Sequence, residues 1–124
     1  MSERTILYIE DNEYNRKIVR QLFSRTSYRL IEATDGEAGI ATAQAELPQL
    51  VLMDVQLPKV SGLDATRILK GDPRTAHIPI IVITSFALSG DRERAAAAGA
   101  DSYLAKPYSP RELLALVRQF LPEA

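Results

Sequence analysis

The side chains that could do chemistry in this 124-residue chain stand where its apolar runs stop. Glu10 and Asp11 follow the run at 6–9, Asp54 follows 50–53, Thr84 follows 78–83, and Lys106 follows 103–105. Three carboxylates and one ammonium at close range carry a formal charge of about minus two, which is costly unless a cation offsets it. A divalent ion would cancel it. All the candidate ligands are hard oxygens, with no thiolate or imidazole among them, which selects magnesium, or manganese in its place, over zinc or copper. With such an ion present, one carboxylate can act as nucleophile toward a phosphoryl group while cations neutralise the equatorial oxygens during transfer. Asp54 is the central candidate for that nucleophile.

For these residues to meet, the runs before them must lie side by side. Those at 6–9, 50–53 and 78–83 are nearly continuous in hydrophobicity, and weaker ones occupy 28–33 and 103–105. Continuous rather than alternating apolar residues suit strands buried on both faces, which predicts a parallel sheet with helices on either side. Helical spacing is clearest at Leu113, Leu116, Val117, Phe120 and Leu121. Earlier stripes read as Ile18, Val19 and Leu22, then Ala38, Ala41 and Ala45, then Ala65, Ile68 and Leu69; the alanine-rich stretch 92–98 has helix propensity with little amphipathicity. Strand and helix alternate five times. That predicts a doubly wound α/β fold with a five-stranded parallel sheet in the flavodoxin-like order 2-1-3-4-5. In open sheets of this kind the binding crevice lies beyond the carboxyl ends of the strands, where the polar residues fall.

The length is that of one domain, so residues 1–124 are expected to form a single unit with no output domain. Lys and Arg total 15 against 16 Asp and Glu, which leaves no electrostatic footprint for nucleic acid or an anionic membrane. Cysteine is absent, which removes thiol chemistry and agrees with a cytoplasmic address. The first apolar run is too short for a signal core or a membrane span and meets two acids at once.

Glu10-Asp11, the run Leu52-Met53-Asp54-Val55-Gln56-Leu57-Pro58 with Gly62 after it, Thr84, and Lys106-Pro107 together resemble the CheY-like response-regulator receivers. The resemblance spans the whole chain in order, and the Glu-Asp-Asn opening with Asn15 is similar to the cell-division type and to hybrid-kinase receivers. It implies a stand-alone receiver in which Asp54 is the phosphoacceptor. Asp11 would then be a direct magnesium ligand, Glu10 would act directly or through water, and the backbone carbonyl of Gln56 would complete the protein's ligands. Thr84 and Lys106 would each hold a phosphoryl oxygen, and Tyr103 would be the aromatic that switches with phosphorylation. The implied partners are a sensor histidine kinase or histidine phosphotransferase upstream, and downstream a target protein or a second copy on the surface of the fourth helix, fifth strand and fifth helix. Such a protein is a self-phosphorylating and self-dephosphorylating switch rather than a turnover enzyme. Ser85 departs from the family's usual small residue. Phe86 has no group to orient a water, so slow self-hydrolysis is expected.

Each residue also has a plainer role to weigh. Asp11 or Asn12 could cap a helix, as could Thr84 or Ser85; Pro107 could simply end a strand, and Tyr103 could be a packed aromatic. Convergence at one rim favours the chemical reading. His77 precedes the fourth strand, at the far end from the acids, and Arg92, Glu93 and Arg94 read as a solvated helix face. Two other functions compete. An aspartyl-phosphate phosphatase of the haloacid dehalogenase type would show Asp-x-Asp after the first strand, but position 12 is Asn, and glycine-rich phosphate loops are absent. A phosphorylation-independent interaction module would not need all five site positions. The stretch 11–16 lacks the glycine of a calcium loop.

Overall fold

The computed structural model describes residues 4–84 and 90–123. Among them, strands β1 (Thr5–Ile9), β2 (Arg29–Ala33), β3 (Leu50–Asp54), β4 (Ile80–Thr84) and β5 (Ser102–Ala105) alternate with helices. The helices are α1 (Glu13–Phe23), α2 (Gly36–Glu46), α3 (Gly62–Gly71), α4 (Asp91–Ala98) and α5 (Pro110–Phe120). The strands pair in parallel in the order β2-β1-β3-β4-β5. The expected doubly wound, flavodoxin-like sheet is therefore the observed one.

Strand residues alternate between two cores because successive side chains leave opposite faces of a sheet. Leu7, Ile9, Val51, Met53, Ile80 and Val82 pack under α2, α3 and α4 with Ala43, Ala65, Leu69 and Ala95. Ile6, Tyr8, Leu50, Leu52, Ile81 and Ile83 face α1 and α5 with Val19, Phe23, Leu113 and Val117. β3 and β4 are buried throughout and β1 from Ile6 onward, whereas β2 and β5 lie at the edges and are only partly covered. This position explains their weaker apolar runs.

Local signals set the helix starts. Asn12, Asp35 and Ser61 each accept from a backbone N–H of the following first turn. Ser109 and Glu112 form a reciprocal capping box with Pro110 in the first turn of α5. α4 has no such cap; it runs between Gly90 at φ 96° and Gly99 at φ 103°. Among the described residues no helix is long and apolar enough to cross a membrane.

Four expectations need correction, the first on α1, where Val19 and Phe23 are buried and Ile18 is exposed. The fourth strand begins at Ile80 rather than 78, because the Ile78 N–H is engaged by the Thr75 carbonyl and Pro79 has no N–H for the ladder. The buried stripe of α2 is Gly36, Gly39 and Ala43, while Ala41 and Ala45 face outward. The helix lies so close to the sheet that glycine is the core residue: a Cβ on Gly39 would stand 2.5 Å from Ile9 Cδ1. On α3, Ala65, Thr66 and Leu69 are buried and Ile68 is exposed.

Candidate functional site

At the carboxyl edge of the sheet, each strand delivers its last residue or the next one to a common rim. Asp54 and Thr84 close β3 and β4 and are buried; Glu10, just past β1, is 2% exposed; Lys106 follows β5. The ladder carries them there. Glu10 N donates to Ala33 O at 3.0 Å, Val55 N to Ile83 O at 3.0 Å, and Lys106 N to Thr84 O at 2.7 Å.

The Lys106 ammonium joins two of the acids. Its Nζ is 2.7 Å from Asp54 Oδ2 and 3.3 Å from Glu10 Oε1. The other Asp54 oxygen, Oδ1, accepts the Gln56 backbone N–H at 2.8 Å, which turns the following loop back over the carboxylate. Burial works to lower the Lys106 pKa, but the bond to Asp54 and the charges of Asp54 and Glu10 outweigh it, so the net direction is upward. Lys106 is therefore held as a cation. Asp11 and the Gln56 side chain are exposed. The Lys106–Pro107 peptide bond is cis.

Glu10 is more heavily bound than the sequence suggests. Its Oε1 accepts from the Tyr8 hydroxyl, Asn15 Nδ2 and Lys106 Nζ, each at 3.3 Å, and its Oε2 accepts from Asn12 N at 3.2 Å. Arg16 Nη1 holds the Glu10 carbonyl at 2.9 Å while its guanidinium also engages Glu13 and Glu32. Burial first, then the neighbouring Tyr108, Glu10 and Asp54, push the Tyr8 phenol far up, so it is a neutral donor. Tyr8 and Arg16 were missed in the sequence reading. The available signal was a hydroxyl-bearing aromatic in an otherwise aliphatic strand, two residues before the acid.

The loop after Asp54 is pinned by close packing. Gly62 N donates to Val55 O at 2.9 Å, and a Cβ on Gly62 would stand 2.0 Å from the Asp54 carbonyl oxygen. Only glycine fits there. Tyr103 sits half-buried on β5, and the Arg92 guanidinium carbon lies 5.2 Å from its ring centre, beside a cleft of ≈ 240 Å³ lined also by Ala95, Ala96 and Ala100. His77 is exposed and lies before β4, away from the acids. Ser85 and Phe86 lie outside the described residues.

Among the described residues, no three carboxylate or imidazole side chains stand as a ready-made metal cage. Glu10 and Asp54 share the ammonium, and Asp11 is outward. The donor set itself consists of hard oxygens at a water-accessible mouth, which fits a small, partly hydrated divalent ion.

The chain matches a known family over nearly its whole length. The model of the response regulator receiver domain covers residues 6–118. The chain is a response-regulator receiver. It thereby belongs to two-component signalling. This receiver is 38% identical over 121 residues to the polar-differentiation response regulator DivK of Brucella anthropi, with 98% of each chain covered. It is similar to the receiver domain of a sensor histidine kinase from Pseudomonas aeruginosa, at 33% identity and a TM-score of 0.88, over 96% of this chain and 98% of that one. The crystal structure of that domain has a magnesium ion coordinated in its active-site cleft. A manganese-bound response regulator is 26% identical with a TM-score of 0.79, over 94% of this chain and 90% of the other.

Proposed function

We propose that this receiver accepts a phosphoryl group on Asp54 from the phosphohistidine of a sensor histidine kinase or histidine phosphotransferase, and passes the signal on by a change of protein-binding surface. The observation that carries the reading is the buried Asp54 held 2.7 Å from Lys106, whose ammonium also reaches the buried Glu10. An Asp54 oxygen attacks phosphorus as the P–N bond to the donor imidazole breaks, and the electron pair leaves with the imidazole. Later attack of water on phosphorus breaks the new P–O bond and releases inorganic phosphate.

Asp11, Asp54 and the Gln56 carbonyl would hold magnesium, or manganese in its place, with Glu10 acting directly or through water. Bound magnesium supplies the positive charge that lets a carboxylate and a phosphoryl group approach one another. Lys106 exchanges its Asp54 contact for a phosphoryl oxygen, and the Thr84 hydroxyl donates to another. As Thr84 is drawn in, Tyr103 follows from the adjacent strand, which requires it to leave the Arg92 side. That couples the site to the α4-β5-α5 surface. Residues 1–124 act here as one receiver unit in the cytoplasm, and the α4-β5-α5 surface docks a target protein or a second copy.

Incubation with magnesium and acetyl phosphate, read by intact mass, tests the transfer. One phosphoryl group should appear in the wild type and be lost in Asp54→Asn, with Asp11→Ala strongly impaired. Uptake that survives in Asp54→Asn, or that needs no metal, rejects it.

A further inference from the structure

We infer that Tyr8 is a positioning residue that sets the orientation of the Glu10 carboxylate toward the metal site, with Asn15 as its counterpart on the other side. The inference rests on the proposed magnesium site and goes beyond it to residues that no part of that reading uses. Tyr8 is 1% exposed, on β1 between β2 and β3, and its phenol ring packs in the core under α1 and α5. The ring therefore has little freedom. Its hydroxyl reaches Glu10 Oε1 at 3.3 Å from inside the protein, and the Asn15 amide reaches the same oxygen at 3.3 Å from α1. The Asn12 backbone N–H takes Oε2. A carboxylate gripped on both oxygens cannot rotate freely, and Glu10 is buried enough that water does not replace a lost donor.

The same oxygen is also the weaker partner of Lys106, at 3.3 Å against 2.7 Å for Asp54. Tyr8 and Asn15 share the charge of Oε1 and so lessen its pull on the ammonium. Lys106 is thereby left with Asp54, the group it must serve. Donors that orient a ligating carboxylate in this way commonly change metal affinity by roughly 10- to 100-fold when removed. The contacts here are long, which places the expected effect below that range.

Tyr8→Phe deletes only the hydroxyl and keeps the buried ring. Magnesium titration by calorimetry should show binding weakened by roughly 3- to 10-fold, below the low end of the usual outer-shell range. The same substitution in a Glu10→Gln background should change affinity by less than about 2-fold, because the coupling then has no carboxylate to act on. A purely structural role for Tyr8 lowers stability but leaves magnesium affinity unchanged. Unchanged affinity in Tyr8→Phe, or an equal loss in both backgrounds, overturns the inference. If the wild type takes up no magnesium, it is the reading of the site that fails. Urea unfolding of the same four proteins checks the Tyr8–Glu10 contact itself, and additive effects there overturn the positioning role.

Discussion

Replacing Gly62 by alanine probes how closely the acceptor loop is built against α3. The added Cβ would stand 2.0 Å from the Asp54 carbonyl oxygen and 2.7 Å from Val55 Cα. Both are main-chain atoms, and the strand ladder holds them through the Val55 N–H to Ile83 O bond at 3.0 Å. Neither can swing aside as a side chain would. Relief must lift the start of α3 off the loop and stretch the 2.9 Å bond from Gly62 N to Val55 O. Overpacking in a tight interior costs about 1–3 kcal/mol, and a clash with main chain on two sides puts this one near about 3 kcal/mol. For a domain of this size that lowers the melting temperature by about 9–15 °C. Gly71, at the other end of the same helix, is the control: an added Cβ meets nothing within 4 Å. Alanine there should stabilise by about 0.5–1 kcal/mol through helix propensity. Urea unfolding followed by far-UV circular dichroism measures both. A Gly62→Ala protein within about 1 kcal/mol of wild type, or a Gly71→Ala protein equally damaged, refutes the packing account.

Further outcomes follow from the charges and the switch. The pKa values of Tyr8, Tyr28 and Tyr108 are raised, chiefly by burial, and that of Lys106 is raised by its acidic partners against the effect of burial. Raised groups stabilise the fold below their ordinary pKa and lose that contribution above it, so the urea midpoint should fall as pH climbs past about 10; a flat profile to pH 11 contradicts this. At the acid end, the Arg74 side chain and backbone N–H hold Asp72 at about 2, and a bidentate bond from Arg20 lowers Glu32. Depressed groups stabilise above their ordinary pKa, so stability should decline below about pH 4.5, and Asp72→Asn should soften the part of that decline between about 4 and 2. For the switch, amide NMR with beryllofluoride and magnesium should move the signals of Tyr103 and α4, and Arg92→Ala should shift the unliganded spectrum part-way toward the same state. Changes confined to the residues around Asp54 would defeat the proposed coupling.

Much of this was legible because the site sits where topology must put it. Apolar runs ending in Asp, Thr and Lys need only a parallel sheet to converge, and β1, β3 and β4 are buried on both faces as their continuous hydrophobicity requires. Hydrophobic periodicity failed where packing is tightest. On α2 the core face is carried by Gly36, Gly39 and Ala43, glycines being invisible to apolar spacing; of the expected alanines, Ala38 packs at the edge of the core while Ala41 and Ala45 are solvated. Ile68 on α3 followed the period but faces outward, since Ala65, Thr66 and Leu69 already fill the contact. The role of Tyr8 was hidden for a different reason: a tyrosine in a buried strand reads as core, and only coordinates show its hydroxyl reaching the acid two residues on. Likewise, the sharing of Lys106 between Glu10 and Asp54 is a matter of ångströms that residue types do not specify.

The central claim is that Asp54 carries the acyl phosphate, and borohydride tests it at the bond itself. Hydride reduces an aspartyl phosphate to the alcohol, which converts the aspartate to homoserine and releases phosphate. Protein treated with magnesium and acetyl phosphate, reduced, digested and sequenced by mass spectrometry should carry homoserine at position 54. Omitting magnesium should abolish it. Homoserine at Asp11 or another acid, or none at 54 in protein whose intact mass shows phosphoryl uptake, would contradict the assignment.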